Sequence, residues 1–214
     1  MHLGDDIVAQ YVELATPTIA NALDDVSFAG VMAGLSQIVP GTRCVGRAVT
    51  VRQLTGQRGD FKSEDFKVGD MIEAAAPGDV LVIDNAGNSV SAFGGLATLA
   101  AKTRGLAGVI VDGGVRDREE MEAHPGVRAA HAPPDGAHPP RHQRHQPAGQ
   151  LRRSARAAGG YRRGDGSGVV CIPAEHAAQV AALAAKYASD DAAAAAELAR
   201  GLTFRQAMAK FTRI

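Results

Sequence analysis

The sequence predicts an α/β fold, on the strength of three neighbouring features. Val80–Ile83 is a fully apolar run that ends at Asp84. Residues 96–104 have helical patterning, and residues 107–111 form a second apolar run that ends at Asp112. Because a helix between two buried strands is typical of a parallel βαβ unit, these features place two strands side by side in one sheet.

The remaining elements surround this unit. Residues 5–25 have apolar positions at helical spacing, and Pro17 divides them into two helices, the second capped by Thr16 or Thr18. Further elements are a strand over 41–54, a short helix from Ser63 to Pro77, a strand over 168–173, a long alanine-rich helix over 175–200 and a closing helix over 202–211.

The two apolar strands deliver polar residues and small-residue loops to one edge of the sheet. Asp84 is followed by a loop over 85–95, and Asp112 is followed by Gly113 and Gly114. Open α/β sheets bind ligands at the carboxyl ends of their strands, so we expect the site at this edge. Asn88 and Ser89 lie in the loop and could form hydrogen bonds with a substrate.

Composition argues against several classes of partner. The chain has 23 basic and 23 acidic residues, 4% aromatic residues and no tryptophan, so neither a basic field nor stacking platforms favour nucleic acid. No apolar stretch is long enough to span a bilayer, and the N-terminus lacks a secretion signal. Cys44 and Cys171 form no metal-binding pattern. We therefore expect a cytoplasmic protein with two buried thiols, without nucleic-acid or membrane partners.

Residues 124–164 differ from the rest of the chain. They contain five of the seven histidines, six of the ten prolines and eight arginines, but no lysine and a single acid, Asp135. A disordered basic linker is one interpretation, because so few apolar residues cannot offset chain entropy. A histidine metal tract is a second interpretation, although regular spacing and acidic or cysteine partners are missing.

A shifted reading frame is the third interpretation of this segment, and the genetic code allows it to be examined. Degenerate codons read one base out of register permit Ile-Pro-Val-Phe-Ala-Arg from His124 onward and Arg-Pro-Gly-Asp-Ile-Val over 157–162. These hidden strings alternate as strands do, whereas the written residues do not. We predict a frameshifted, disordered or non-native segment, and an uninterrupted frame in the sequenced gene would contradict the frameshift.

One long motif carries a family resemblance. Residues 94–120, GGLATLAAKTRGLAGVIVDGGVRDREE, resemble the RraA-like family, which includes 4-hydroxy-4-methyl-2-oxoglutarate aldolases and regulators of ribonuclease E activity. The strings TPTIANALDD, PGDVLVID and GDGSGVVCIP are also similar to that family. The resemblance implies one domain over 1–214 with a swivelling β/β/α sandwich, assembled as a homotrimer or dimer of trimers. It also implies a divalent cation, Mg or Mn, and a small 2-oxo acid substrate.

The resemblance also indicates which residues perform the chemistry. It implies that Arg116 binds the keto acid, which suits a planar guanidinium with paired donors, and that Asp117 holds the metal ion through carboxylate oxygen. Each residue also has a structural reading, Arg116 as an ion-pair partner and Asp117 as a helix N-cap. Lys102 lies within a predicted helix, so a metal route is preferred to an imine route.

Further candidates surround this pair. Gly94, Gly95 and Leu96 open the helix after the first strand, where backbone N–H groups suit a substrate carboxylate, although a glycine turn explains them equally well. Glu120 is at an acidic position of the family, and an exposed helix charge is the alternative. Asp84 and Asp112 could contact the ion or a catalytic water, or could simply form turns.

The chain departs from the family at Gly95. Active aldolases that it resembles commonly have an Asp or Glu twenty-one residues before the arginine, a position held here by Gly95. Loss of a general acid or base typically lowers a rate by about 10²–10⁴-fold. We therefore expect a metal-dependent pyruvate aldolase or oxaloacetate decarboxylase. The alternative is a catalytically weak regulator that binds and inhibits a ribonuclease E-type partner.

Overall fold

The apolar strand runs form the centre of one mixed sheet. The computed structural model describes residues 3–54, 60–62, 67–123, 129–131 and 160–211. In these residues the strands, in sheet order β1-β5-β4-β3-β2-β6-β7, are β1 (Ser36–Gln37), β2 (Cys44–Arg52), β3 (Val80–Phe93), β4 (Gly108–Val115), β5 (Ala129–His131), β6 (Tyr161–Asp165) and β7 (Gly168–Ile172).

Parallel pairing joins the middle of the sheet, and antiparallel pairing joins its edges. Strands β2, β3, β4 and β5 pair in parallel, while β1, β6 and β7 add antiparallel pairs. Residues 80–83 of β3 are buried on both faces, as are residues 108–111 of β4. Continuous apolar runs suit central parallel strands because both faces are covered, so the predicted βαβ unit and the α/β fold are confirmed.

The helices pack against the sheet and against one another. They are α1 (Leu3–Tyr11), α2 (Thr16–Asp25), α3 (Val68–Glu73), α4 (Gly95–Thr103), α5 (Arg118–Ala123), α6 (Ala177–Ala199) and α7 (Phe204–Lys210), with a 3₁₀ turn at Ala174–His176 before α6. The predicted long and closing helices thus correspond to α6 and α7. The start of the predicted helix at Ser63 lies outside the described residues, and α3 begins at Val68.

The alternation of side chains divides the core into layers. Leu81 and Ile83 of β3 pack in one cluster with Val109 and Val111 of β4 and with Met121 of α5. Their neighbours in the same strands face the opposite side, where Val80, Val82 and Ile110 belong to one cluster with Met32. A third cluster joins β7 to α2 and α6. The first layer places α5 beside the sheet and thereby positions the residues that follow β4.

The prediction of a loop over residues 85–95 is wrong for most of these residues. Strand β3 continues to Phe93 and pairs with β4 through three register shifts. Asp84 and Asp112 therefore lie inside their strands, paired with each other, rather than at the strand ends. The physical reason is a close approach of the two backbones. A Cβ atom at Gly114 would lie 2.4 Å from the carbonyl oxygen of Ser89, so glycine is needed there.

The entry of α2 is capped from a distant strand. Ala15 occupies the N-cap position, and neither Thr16 nor Thr18 caps the helix as predicted. Instead, the Asp165 carboxylate accepts hydrogen bonds from the Thr16 N–H at 2.9 Å and the Thr16 hydroxyl at 2.7 Å. Burial opposes ionisation of Asp165, but the bonds from Thr16 and Ser167 and the nearby Arg163 charge outweigh it and lower its pKa.

The last residues of the histidine-rich segment contribute a strand to the sheet. Tyr161–Asp165 form β6, which pairs with β2 and β7. The three residues of β5 are also described, whereas 124–128 and 132–159 lie outside the described residues. The shifted reading frame and the extent of the single domain stay predictions.

Strand β6 buries two arginine side chains. Arg163 is 1% exposed, and its guanidinium donates to the carbonyl oxygens of Val12, Leu14, Cys44 and Gly164 at 2.8–3.3 Å. Arg162, on the opposite face, is fully buried and donates to the Tyr161 carbonyl at 3.1 Å. Burial lowers the pKa of Arg162, although the adjacent Cys171 partly offsets this.

The two cysteines are buried and form no disulfide, as predicted. Burial raises the pKa of Cys171, and the neighbouring Arg162 guanidinium opposes this increase. Among the described residues, no helix is long and apolar enough to cross a membrane.

We predict that Arg162→Met stabilises the protein. An apolar side chain of similar length removes the cost of burying a cation, and replacing buried charges by packed apolar groups is often stabilising, by about 1–4 kcal/mol. Thermal unfolding measures the change, and Arg43→Met at an exposed position is the matched control, expected within about 0.5 kcal/mol of the parent. A marked loss of stability in Arg162→Met alone would contradict the prediction.

Candidate functional site

The site begins where β4 ends. Val115 is the last residue of β4, and the Arg116 N–H donates to the Phe93 carbonyl at 3.0 Å, so pairing with β3 extends one residue further. Asp117 then adopts a positive φ of 60°, a conformation in which Asp is enriched among non-glycine residues. The chain turns at this point, and α5 starts at Arg118.

Asp117 connects this turn to the start of α4. Its Oδ2 accepts the Gly95 N–H at 3.2 Å and lies 3.3 Å from Arg116 Nε. Gly94, the N-cap residue of α4, offers no side chain to the helix. A carboxylate at a helix N-terminus satisfies an unpaired N–H and interacts favourably with the helix dipole. Asp117 therefore caps α4, whereas its predicted structural role was to cap α5.

Gly94 permits this close contact. A Cβ atom at Gly94 would lie 2.7 Å from Asp117 Oδ2 and 2.9 Å from Arg116 Cγ. The Gly94 carbonyl also accepts bonds from the Thr98 N–H at 2.9 Å and the Thr98 hydroxyl at 3.0 Å. The structure therefore brings Gly94 and Gly95 together with Arg116 and Asp117, and Leu96 follows them in the first turn of α4.

Glu120 also reaches the first turn of α4. Its carboxylate oxygen Oε2 lies 1.9 Å from the position that a Cβ atom at Gly95 would occupy. Glu120 is in the first turn of α5, and its residue is exposed at the surface. The structure therefore brings this candidate to the same place as the two glycines.

Among the described residues, the site lies exposed at the surface. Arg116 has 74% of its side chain exposed, and Asp117 has 39%. Two cavities lined by described residues, of about 440 Å³ and about 170 Å³, include neither of them. The larger lies beside Arg52, Gln53 and Phe61. An exposed guanidinium can reach a ligand, and the part of the chain that the structure describes does not enclose that ligand.

Asp84 and Asp112 are not part of this group of residues. Asp84 lies 3.3 Å from the Arg52 guanidinium, and its Oδ1 accepts the Ala86 N–H at 3.0 Å. Four residues of strand, about 13 Å at about 3.3 Å each, separate Asp112 from Arg116. The register shifts in β3 move Gly94 and Arg116 beyond the two aspartates, which sequence periodicity alone does not reveal.

The residues of the extended arm of β3 hold its shape. The Asn88 side chain donates to the Asn85 carbonyl at 2.8 Å, so Asn88 supports the arm rather than projecting freely toward a substrate. Asn85, which sequence reasoning missed, is 1% exposed and donates to the carbonyls of Asn88 and Val90. In the sequence, the only feature that could have indicated this role of Asn85 is its place among small residues. Ser89 contributes its backbone oxygen to the contact with Gly114.

The described residues offer few ligands for a metal ion. No group of three or more His, Cys, Asp or Glu side chains among them could hold one. Asp117 is the carboxylate adjacent to Arg116, and Mg²⁺ commonly binds through one or two carboxylates with water and substrate completing its shell. The site therefore fits a hard cation with mainly non-protein ligands, and does not fit an all-protein cage.

A protein-family comparison matches most of the chain. Residues 16–171 match the family described as RraA-like, Aldolase/RraA. A curated protein of Halalkalibacterium halodurans, provisionally named a 4-hydroxy-4-methyl-2-oxoglutarate aldolase, is 33% identical over 119 residues. That match covers 55% of this chain and 52% of the relative, so the chain spans about half the length of the curated relative it matches.

Solved structures confirm the fold. An uncharacterised protein from Pseudomonas syringae pv. tomato superposes with a TM-score of 0.76 and 22% identity, covering 99% of this chain and 96% of its own. RraAS2 of Streptomyces coelicolor, described as an unusual member of the RNase ES inhibitor RraA protein family, has a TM-score of 0.65 and 20% identity, covering 92% and 96%. At these identities the likeness concerns architecture alone.

We predict that Gly94→Ala destabilises the protein and disrupts the site. The added methyl group would displace the Asp117 carboxylate and the Arg116 stem, and overpacking of this kind typically costs about 1–3 kcal/mol. Chemical denaturation measures the loss. Gly69→Ala is the matched control, because no atom lies within 4 Å of a Cβ atom there and alanine favours the helix. Equal stability of the two variants would contradict the prediction.

Proposed function

The chain belongs to the RraA-like family, and from that premise we propose that it is a divalent-metal-dependent lyase. The proposed substrates are 4-hydroxy-2-oxo acids of the 4-hydroxy-4-methyl-2-oxoglutarate type, cleaved to pyruvate, and oxaloacetate, decarboxylated to pyruvate. The observation that best supports this proposal is the convergence of Arg116 and Asp117 with the first turn of α4. The aldolase name of the 33% identical relative supports it at the level of the family.

Arg116 suits the binding of a 2-oxo acid. Its guanidinium is exposed, so its planar donors are available to a carboxylate and the adjacent keto oxygen. The Asp117 carboxylate lies against Nε of Arg116, so the two terminal nitrogens of the guanidinium remain for the ligand. The N–H groups of Leu96 and Ala97 belong to the first helical turn, where N–H groups have no partner within the helix, and they can bind the same carboxylate.

Asp117 is the residue that would hold the divalent cation, Mg or Mn. When bound, such an ion acts as a Lewis acid that polarises the keto oxygen and stabilises enolate charge. Arg116 would orient the substrate beside Asp117. Its positive charge would limit the repulsion between the Asp117 carboxylate and the anionic substrate. Lys102 lies in the last turn of α4, at the opposite end from Gly95, so the helix does not present an amine for imine chemistry.

Assembly with further copies of the chain is part of this proposal. Leu96 is 82% exposed at the site, and Val90 and Leu99 are 61% and 42% exposed on neighbouring elements. A second copy packed on these side chains would bury apolar area and cover the open ligand surface. We propose a homotrimer or dimer of trimers, and a monomeric mass in sedimentation analysis would contradict it. We also propose a cytoplasmic location, which the two cysteines without a disulfide support.

A regulator of a ribonuclease E-type partner is the second candidate function. Gly95 favours it, because glycine supplies no proton-transfer group at a position where the related aldolases carry an acid. The family contains both aldolases and ribonuclease E inhibitors. Inhibition of a purified ribonuclease E without any pyruvate release would support the regulator and contradict the lyase.

We predict that Arg116→Ala lowers kcat/KM by about 10²–10³-fold for both substrates. This loss corresponds to about 2.7–4 kcal/mol of transition-state stabilisation, which is typical of one hydrogen-bond donor that faces the negative charge developing in the reaction. Pyruvate release with and without Mg²⁺ or Mn²⁺ measures it, and chelation is expected to abolish turnover by the parent.

Arg118→Ala is the matched control for this variant. Arg118 is comparably exposed and only two residues away, but it is engaged with Glu122 at 3.0 Å and the Ile38 carbonyl at 3.3 Å. Its loss is expected to leave kcat/KM near the parent value. Turnover that survives Arg116→Ala would move the site elsewhere.

A further inference from the structure

The larger cavity, of about 440 Å³, lies between the end of β2 and the helix α3. Arg52, the last residue of β2, lines it together with Val68 and Met71 of α3. Its volume is within the range of about 300–1,000 Å³ that is typical of small-molecule sites. The cavity is therefore large enough to hold a small organic ligand.

This cavity is separate from the proposed lyase site. Arg52 pairs with Asp84 across β2 and β3, and Asp84 pairs with Asp112 across β3 and β4. Two strand spacings of about 4.8 Å, and four residues of about 3.3 Å along β4, place the Cα atoms of Arg52 and Arg116 roughly 16 Å apart. A molecule bound beside Arg52 therefore has no need of Arg116.

Apolar side chains form most of the described wall of the cavity. Leu54 is 75% exposed and Phe61 is 39% exposed, whereas Val68 and Met71 pack against the core cluster of β3, β4 and α5. Water covers such large apolar side chains unfavourably, so an apolar body in the cavity would be stabilised. An aromatic body suits this wall best, because it can stack on the Phe61 ring and contact the Met71 sulfur.

Two cations, Arg52 and Lys67, line the same cavity. Asp84 lies 3.3 Å from Nε of Arg52, so the terminal nitrogens of the guanidinium remain for a ligand. Lys67 Nζ lies 3.9 Å from Asp70, but the two side chains are 68% and 70% exposed, so water weakens this pair. No acid is among the described residues that line the cavity. Its wall therefore favours a ligand with an anionic head group.

We propose that this cavity is a second ligand site of the protein and that it binds an aromatic carboxylate. The carboxylate lies between Arg52 and Lys67, where charge-assisted hydrogen bonds are available from both. The ring lies against Phe61 and Met71. The site goes beyond the proposed lyase function and does not depend on it, since none of its residues belongs to the group around Asp117.

Methionine methyl groups allow the ligand to be located directly. The test is an NMR titration of protein carrying ¹³C at its methionine methyl groups with 2-naphthoate, with the signals assigned by single Met→Leu variants. The Met71 signal is expected to shift, because the ring current of the bound naphthalene acts on it, with a Kd below about 1 mM. Met121, buried in α5, and Met208, exposed on α7, are internal controls whose signals are expected to stay unchanged.

Removal of one cation tests the position of the carboxylate. Lys67→Met keeps the apolar stem and removes the charge, and it is expected to raise the Kd for 2-naphthoate by at least about tenfold. The neutral alcohol 2-naphthalenemethanol should bind the parent and Lys67→Met equally. Lys102→Met, at an exposed position of α4 that does not line the cavity, is the matched control.

Removal of the ring tests the position of the aromatic body. Phe61→Ala is expected to weaken both 2-naphthoate and 2-naphthalenemethanol by at least about tenfold, because both lose the same stacking partner. Phe204→Ala removes a ring that is 65% exposed on α7 and is expected to bind both probes as the parent does. Thermal unfolding of each variant shows that the fold is kept.

The outcomes distinguish this site from the lyase. An unchanged Met71 signal up to the solubility limit of 2-naphthoate would overturn the proposal, as would tighter binding of linear octanoate. Loss of 2-naphthoate binding in Arg116→Ala, with binding retained in Lys67→Met, would place the probe at the lyase site and also overturn it. A protein that releases no pyruvate but shows the Met71 shift would overturn the lyase and leave the second site intact.

Discussion

The arrangement of the site depends on one carboxylate, that of Asp117. It joins the end of β4 to the beginning of α4 by accepting the Gly95 N–H, and it holds Arg116 at the same point through Nε. A single acid thus stabilises a helix terminus that has no cap of its own and orients the guanidinium proposed to bind substrate. The left-handed backbone of Asp117 and the absence of a side chain at Gly94 are the two local conditions for this contact.

The sequence was sufficient for the centre of the fold, and it indicated two residues of the candidate site. The apolar runs of β3 and β4 with α4 between them predicted the parallel pair, and the family resemblance identified Arg116 and Asp117. Periodicity could not predict that β3 continues beyond Asp84, because the register shifts depend on the Asn85 side chain and on the contact between Ser89 and Gly114. These are tertiary contacts between separate segments. The same shifts explain why Asp84 and Asp112, which resemble strand-end ligands in the sequence, lie back along the sheet.

Gly95 and the two arginines of β6 both depart from what the rest of the sequence leads one to expect. The family resemblance presents Gly95 as the absence of an acid, and in the structure the Glu120 side chain lies against Gly95. Arg162 and Arg163 are a departure of a different kind from Gly95, because they place two cations in the core. A strand that pairs with β2 and β7 buries both cations, and four backbone carbonyl oxygens accept hydrogen bonds from Arg163. Charge in a core position has a desolvation cost that composition cannot reveal, since it arises only when the strand enters the sheet.

The central claim is that Asp117 holds a cation beside a keto acid bound by Arg116. Paramagnetic broadening of ¹³C-pyruvate signals by Mn²⁺ tests it without requiring turnover. The parent protein is predicted to increase the Mn²⁺-induced broadening in proportion to the amount of bound pyruvate. The Asp117→Asn variant keeps the shape of the side chain but removes its charge, and it is predicted to abolish this increase. An equal increase with Asp117→Asn and the parent, or none with either, would contradict the account.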